Sequence, residues 1–328
     1  MYCKKIGIPF HIQQYEACLR RLFPSHRAKE TIENRYQKSM AGFRGEQSIA
    51  YFLDYLPNEE FLFFHNLRLP DSIHFFQIDW LIMSSRFFLI LEVKNIVGKL
   101  TFDHEMLQMI REIDGKTDIF DDPVLQAERL EQQLQKWFSQ CFNMADYPGE
   151  NRVVITSSAQ LQIEGSKDSL LRKIIRKSVL GNELDRMNKN YAKNFILQPN
   201  LQKIADQLLA SHRPLIINLF FSIKFLSPED IIKGVQCPDC GHFHMRRRKR
   251  NWYCEKCSYF SQDAHIAALR DFLLIFGPTI TNKQCRDFLV LQSETVAKKI
   301  LQAVSSHYEG ENRGRVYHLS FNMLKSLH

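Results

Sequence analysis

The chain has 328 residues, about twice the usual length of one domain, so two or three hydrophobic cores are expected. A hydrophobic fraction of 45% and a charged fraction of 24% exclude wholesale disorder and fibrous repeats. The formal charge of +8 is unevenly spread: residues 237–328 hold 14 Lys/Arg against 8 Asp/Glu, leaving 30 against 28 for residues 1–236. A local positive field recruits polyanions by counterion release, which makes nucleic acid the leading partner class and an anionic membrane surface the weaker one.

The N-terminus runs from Lys4-Lys5 into Pro9 and His11 without the apolar body of a secretory signal, so a cytoplasmic location is expected. The pattern over residues 12–40 predicts two polar lead-in helices broken at Pro24 and Ser25. After Gly42 and Gly45, Ile49, Ala50, Phe52, Leu53 and Leu56 recur at helical spacing, predicting a helix from Glu46 to Leu56. Three apolar, aromatic-rich runs, Phe61 to Leu69, Ile73 to Met83 and Arg86 to Asn95, predict a meander of strands. Pro123 to Phe138 then carries Leu130, Leu134 and Trp137 on one side of a helix, and Arg152 to Ser157 follows as a strand. Residues 166–213 predict further helices, including Leu170 to Leu180 and Leu201 to Leu209. Ser227-Pro228-Glu229-Asp230 has the composition of a helix start. The richest apolar run, 215–226, is interrupted by Asn218, Ser222 and Lys224, short of a membrane span. Ala264 to Phe276, Asn282 to Leu289 and Ser293 to Val304 predict three helices, followed by a hairpin over Tyr308 to Leu319.

The third run, Phe87 to Lys94, has the continuous apolar character of a strand covered on both faces, yet it ends in two charges. A side-chain period of two puts Glu92 and Lys94 on one face. The run before it contains the same anomaly, since Gln77 and Asp79 share a face among large apolar groups. Neighbouring strands can aim Asp79 and Glu92 together, and paired carboxylates repel unless they share a proton or a cation. Hard oxygen donors of this kind suit Mg²⁺ or Mn²⁺. On its own, the bland alternative is a Glu92–Lys94 surface ion pair.

Asp79, a 12-residue gap and Glu92-Val93-Lys94 together resemble the PD-(D/E)xK signature of the restriction-endonuclease-like nucleases. More narrowly, Gly42-Phe43-Arg44-Gly45-Glu46, Gln77-Ile78-Asp79, Glu92-Val93-Lys94-Asn95 with Gly98, and Asp122-Pro123 with Gln126 resemble the nuclease-related (NERD) domain over about residues 42–160. The chain has Gln-Ile before Asp79 where the superfamily is named for proline. The resemblance implies that Asp79 and Glu92 bind the catalytic metal and that Lys94 positions or deprotonates the attacking water. It further implies that Glu46 completes the acidic shell and that Gln126 is auxiliary.

Cys237-Pro-Asp-Cys240 and Cys254-Glu-Lys-Cys257, 13 residues apart, have the spacing of a tetrahedral Cys₄ zinc ribbon. Four thiolates would close the shell, making the Zn²⁺ structural. Between the knuckles lie Arg246, Arg247, Arg248, Lys249 and Arg250, followed by Trp252 and Tyr253. Phosphates relieve the mutual repulsion of five cations, and the aromatic rings are placed to stack on bases. In the tail, Ser293 to Val304 is the expected recognition helix, with Lys298 and Lys299 reaching backbone phosphates and Arg313 and Arg315 on a wing.

The expected fold is α/β: a restriction-endonuclease-like αβββαβ core with helical additions, a zinc ribbon and a winged helix-turn-helix-like C-terminal domain. The expected divisions are a helical lead-in (1–41), a NERD-type nuclease domain (42–165), a helical connector (166–234), the ribbon (235–261) and the winged-helix-like domain (262–328). The expected function is Mg²⁺-dependent hydrolysis of DNA, with the ribbon and tail holding the substrate. A non-catalytic DNA-binding or regulatory protein on a nuclease-like scaffold is the rival. RNA stays open as a partner because phosphate-directed chemistry does not distinguish sugars.

Overall fold

The apolar runs after residue 60 pair into the middle of a six-stranded sheet in the computed structural model, which describes residues 1–56, 60–165 and 172–324, the side chain of Arg313 excepted. The chain separates into two units, Met1–Pro9 with Lys38–Leu215, and Phe10–Gln37 with Ile216–His328. In chain order the first elements are β1 (Tyr2–Lys4), α1 (Phe10–Arg20) and α2 (Lys29–Leu53). Then come β2 (Leu62–Pro70), β3 (Phe75–Met83), β4 (Phe88–Lys94), β5 (Lys99–Asp103), β6 (Gln108–Ile113) and β7 (Lys116–Asp121). They lead to α3 (Pro123–Phe142), β8 (Gly149–Ile155), β9 (Gln160–Glu164), β10 (Ile174–Arg176), α4 (Leu180–Asn190) and α5 (Gln198–Ser211).

In the first unit the sheet order is β1-β2-β3-β4-β8-β10. The pairs β2/β3 and β3/β4 are antiparallel, whereas β4 and β8 run parallel, from Phe88 opposite Gly149 to Lys94 opposite Ile155. A parallel pair needs a crossover, and α3 supplies it. The αβββαβ order expected of the core is therefore present as α2, β2, β3, β4, α3 and β8. Side-chain alternation along β4 sends Phe88 and Ile90 toward α3 and α5, and Leu89 and Leu91 toward α2 and α4. Each of these fully buried side chains contributes about 1.5–3 kcal/mol of transfer free energy.

Several expectations are corrected. The lead-in and the Glu46 helix are not separate, because α2 runs unbroken through Gly42 and Gly45. A Cβ on Gly45 would lie 2.5 Å from Asn95 Cβ and 2.9 Å from Thr156 Oγ1, so this glycine is what lets the helix seat itself against the ends of β4 and β8. Asn95 Nδ2 completes the seat by donating to the Ala41 carbonyl at 2.7 Å. Between β4 and α3 the sequence reading had no strands. The chain there forms β5, β6 and β7, which β9 from beyond β8 joins in a second sheet of order β7-β6-β5-β9 that packs Leu100, Phe102 and Met109 against Val124 and Ala127 of α3. The expected helix Leu170 to Leu180 is replaced by β10 and a 3₁₀ turn, its first residues lying outside the described ones. β-branched Ile174 and Ile175 extend the parallel edge beside Val153 and Val154.

The second unit has its own core, in which Tyr15, Leu22 and Ile32 pack with Phe272, Leu289 and Leu301. After α6 (Leu219–Ser222), Ser227 caps the expected helix start with Pro228 in the first turn, but the helix is a single 3₁₀ turn, and Asp230 closes the capping box by accepting from the Ser227 N–H at 2.8 Å. The ribbon strands β11 (Arg246–Arg248), β12 (Asn251–Tyr253) and β13 (Phe260–Ser261) pair antiparallel. α7 (Ala264–Phe276), β14 (Thr279–Thr281), α8 (Asn282–Leu289), α9 (Glu294–Val304), β15 (Ser305–Glu309) and β16 (Val316–Leu319) follow. Their three strands form one sheet in the order β14-β16-β15. Thr281 caps α8 by accepting from Gln284 N, and Ser293 caps α9 by accepting from Val296 N. Among the described residues no helix is long and apolar enough to cross a membrane.

Candidate functional sites

β3 and β4 pair only as far as Trp80 opposite Leu91, and beyond this point the two strands part. The N–H of Val93 thereby loses its partner in β3, and Asp79 Oδ2 accepts from it at 2.9 Å. The same place is irregular on the other flank, where Asn66 adopts a left-handed φ of 51° and the β2/β3 pairing skips Asn66 and Asp79. Asp79 is thus fixed at a split in the sheet by a backbone donor. β4 stays paired with β8 throughout, so Glu92 and Lys94 remain on a rigid strand.

Glu92 is buried, with 4% exposure, and its Oε1 accepts from Lys94 Nζ at 2.7 Å. Lys94 Nζ also donates to Gln126 Oε1 at 3.1 Å, which joins the strand to α3. Gln126 stands one turn into that helix, whose start is set by Asp122: its Oδ1 accepts from Val124 N, and Pro123 occupies the first position. From the other face of the sheet α2 brings Glu46, whose Oε2 lies 2.7 Å from His65 Nε2, while its main-chain carbonyl accepts from Trp80 Nε1 at 2.9 Å. Glu46, Asp79, Glu92, Lys94 and Gln126 thus converge from four elements.

The electrostatics are those of a crowded acidic site. Loss of hydration pushes the Asp79 carboxyl well above its usual range, and the Glu92 and Glu46 carboxylates push it further. Burial also raises Glu92, opposed by the Lys94 ammonium. Hard oxygen donors carrying surplus negative charge fit a divalent cation, and Asp79 and Glu92 are the pair that could hold it. Two participants were not expected from sequence. His65 is wholly buried beside Glu46. His104 lies 2.7 Å from Asp122 Oδ2, steadying the residue that caps α3. His65 was visible as a polar residue inside an apolar run, but its partner lies 19 positions away.

Residues 41–156 match the family model of the nuclease-related domain, NERD. No curated protein and no solved structure matches the chain. The convergence just described lies wholly inside the NERD segment, as do the strands of both sheets apart from β1, β9 and β10.

The second cluster is the ribbon. Sγ atoms of Cys237 and Cys257 lie 3.6 Å apart, as do those of Cys240 and Cys254, and all four lie within 4.8 Å of one another. Both knuckles fold alike. Gly241 N donates to Cys237 O and Cys237 N to His242 O; Ser258 N donates to Cys254 O and Cys254 N to Tyr259 O. Gly241 and Ser258, at φ of 71° and 61°, hold the equivalent left-handed positions. This cluster could hold a metal ion.

The cation run of the ribbon divides by strand alternation. Arg246 and Arg248 face outward, near Glu255 at 3.2 and 3.8 Å, and Arg248 also lies over Tyr253. Lys249 and Arg250 are exposed at the turn. Arg247 faces inward over the Trp252 ring at 5.1 Å. Trp252 is not available to stack on bases: it is wholly buried and donates through Nε1 to His265 Nδ1 at 3.0 Å. The exposed rings are Tyr259 and Phe260, with Tyr253 beside Phe260 at 4.8 Å, the two rings tilted by 41°. Lys298 and Lys299 are exposed on α9. Arg315 packs over Tyr308 at 4.3 Å, and Arg313 belongs to a 3₁₀ turn, its side chain lying outside those described.

Proposed function

We propose that the first unit hydrolyses DNA phosphodiester bonds with Mg²⁺ or Mn²⁺, and that the ribbon and the three-helix region of the second unit bind the nucleic acid. The observation that carries this reading is the meeting of Asp79, Glu92 and Lys94 where β3 and β4 part, inside the NERD segment. Asp79 and Glu92 would hold the cation, which when bound supplies charge neutralisation at the scissile phosphate and a more acidic water. Lys94 has two of its three N–H groups committed to Glu92 and Gln126. The third would donate to the attacking water or to a phosphate oxygen, stabilising the charge that develops there. Glu46, fixed through one oxygen by His65, would receive a hydrogen bond from the water through the other.

In the second unit, four thiols in two matched knuckles suit Zn²⁺, and with no coordination position left open the ion would be structural. The order helix, strand, two helices and hairpin supports a winged helix-turn-helix, with Lys298 and Lys299 on the recognition helix and Arg246 and Arg248 as phosphate contacts on the ribbon. Incubating supercoiled plasmid with protein and Mg²⁺, Mn²⁺ or EDTA tests the catalytic reading. Metal-dependent cleavage should vanish in Glu92→Ala; uncut DNA in every lane with binding retained would sink it.

A further inference from the structure

The β15–β16 hairpin carries three side chains used by neither the acidic site nor the ribbon. His307 and Glu309 stand two residues apart on β15 and so share one face, and His318 on β16 is directly opposite His307 in the register. The two imidazoles stack 4.0 Å apart at an interplanar angle of 14°. Glu309 Oε1 lies 3.2 Å from His318 Nε2 and 3.9 Å from His307 Nε2. The three donor atoms all fall within 4.8 Å of one another.

We propose that His307, Glu309 and His318 form a second metal site, one that takes Zn²⁺ or a similar divalent transition ion. Donor spacing is the first argument. A tetrahedral ion with bonds of about 2.0–2.1 Å holds its ligand atoms about 3.3 Å apart, so the 3.2 Å pair is already in place. The 3.9 Å pair closes when the exposed His307 ring turns out of its stack with His318, so that both ring planes contain the ion. The second argument is an unsatisfied atom: His318 Nε2 is buried and has no hydrogen-bond partner, its approach to Glu309 lacking the geometry of a bond. A buried ring nitrogen beside a carboxylate oxygen and a second imidazole is a lone pair that a cation would satisfy.

The third argument is a supporting shell. Ser306 Oγ donates to the His318 carbonyl at 3.2 Å and lies 3.2 Å from His307 Nδ1. A hydroxyl that has given its proton to a carbonyl accepts from Nδ1–H, which leaves the His307 lone pair on Nε2, facing Glu309. Two imidazoles and one carboxylate prefer zinc-like ions over Mg²⁺ or Ca²⁺. The fourth position is open to water, in contrast with the closed set of four thiols in the ribbon. Ligands on both strands clip β15 to β16 just before the Gly310–Arg315 turn.

Co²⁺ titrated into untagged full-length protein that carries a single equivalent of Zn²⁺, held by the four thiols, reads this site directly. One equivalent should bind with the weak visible bands of nitrogen and oxygen ligation, without thiolate charge transfer, and should broaden amide resonances of residues 305–319. Loss of a supporting partner alone weakens metal sites about 10–100-fold, so removing a direct ligand in His318→Ala should weaken Co²⁺ by more than about 100-fold. Glu309→Gln, an exposed and nearly isosteric change, should do the same and guards against a hairpin disturbed by loss of the ring. Absence of that equivalent, binding unchanged in both variants, or thiolate bands alone would overturn the assignment.

Discussion

Lys94 turns back on its own strand to bond Glu92, two residues earlier, at 2.7 Å. The ammonium thereby compensates a buried carboxylate, and Gln126 Oε1 sets its remaining direction. Lys94→Ala should lower the rate of Mg²⁺-dependent DNA cleavage about 10²–10⁴-fold. Gln126→Ala, which leaves the charge but frees its direction, should cost less. Single-turnover kinetics would rank the two, and equal losses would contradict the positioning role of Gln126.

Asp79 sets a pH dependence. Burial and the neighbouring carboxylates raise its folded-state pKa above the unfolded value of about 3.9, so the folded protein binds this proton more readily. The stability it contributes is complete below the unfolded pKa and is lost as pH rises through the raised value. Glu92 acts in the same direction. In EDTA, the gain in melting temperature of Asp79→Asn over wild type should therefore grow between pH 5 and pH 8, and excess Mg²⁺ should shrink it. Parallel curves would refute this account.

Gly45→Ala places a methyl group 2.5 Å from Asn95 Cβ, where α2 meets β4. Overpacking of this kind costs about 1–3 kcal/mol, and it displaces the helix that carries Glu46. Denaturant melts should show the loss, with Gly42→Ala as the control, since a Cβ there meets nothing within 4 Å.

The inward and outward faces of the ribbon should separate binding from folding. Arg246→Ala with Arg248→Ala should reduce the slope of log K against log salt for DNA by about 2. Arg247→Ala removes the guanidinium over Trp252, so it should destabilise the ribbon and leave the slope nearly unchanged. Fluorescence anisotropy across a salt series compares them.

His212 Nδ1 accepts from Arg68 N at 3.1 Å, which requires a ring unprotonated at that atom. Burial, helped by Lys4, pushes its pKa down to about 4. A histidine held neutral adds stability that is present above its unfolded pKa of about 6.5 and is lost as pH falls toward 4. His212→Asn keeps an acceptor that does not titrate, so its stability should fall less than that of wild type between pH 7 and pH 4.5. An imidazole titrating near 6.5 by NMR would contradict the prediction.

Much of the central sheet was legible because β3 and β4 are apolar enough to announce burial, which made Asp79, Glu92 and Lys94 stand out against it. The cysteine knuckles were legible because ligand spacing is a local property. The sheet inserted between β4 and α3 was not, because β6 and β7 bury little more than Met109 and read as polar loop. Trp252 was misplaced for a related reason: an arginine-rich setting suggests solvent, whereas strand alternation turns residues 247 and 252 inward together. His65 and Gln126 act through partners distant in the chain, and a single sequence carries no record of such pairings.

The parallel pairing of β4 with β8 has a consequence for synthesis. All three residues at the split in the sheet have been synthesised by position 94, but the strand that carries two of them has an open edge until Gly149–Ile155 arrives. Until then Phe88, Leu89, Ile90 and Leu91, paired with β3 on one side, present an open apolar edge on the other, of the kind that seeds aggregation. Chains released before residue 149 should be insoluble, and a nascent chain would carry no assembled acidic site while still short of β8.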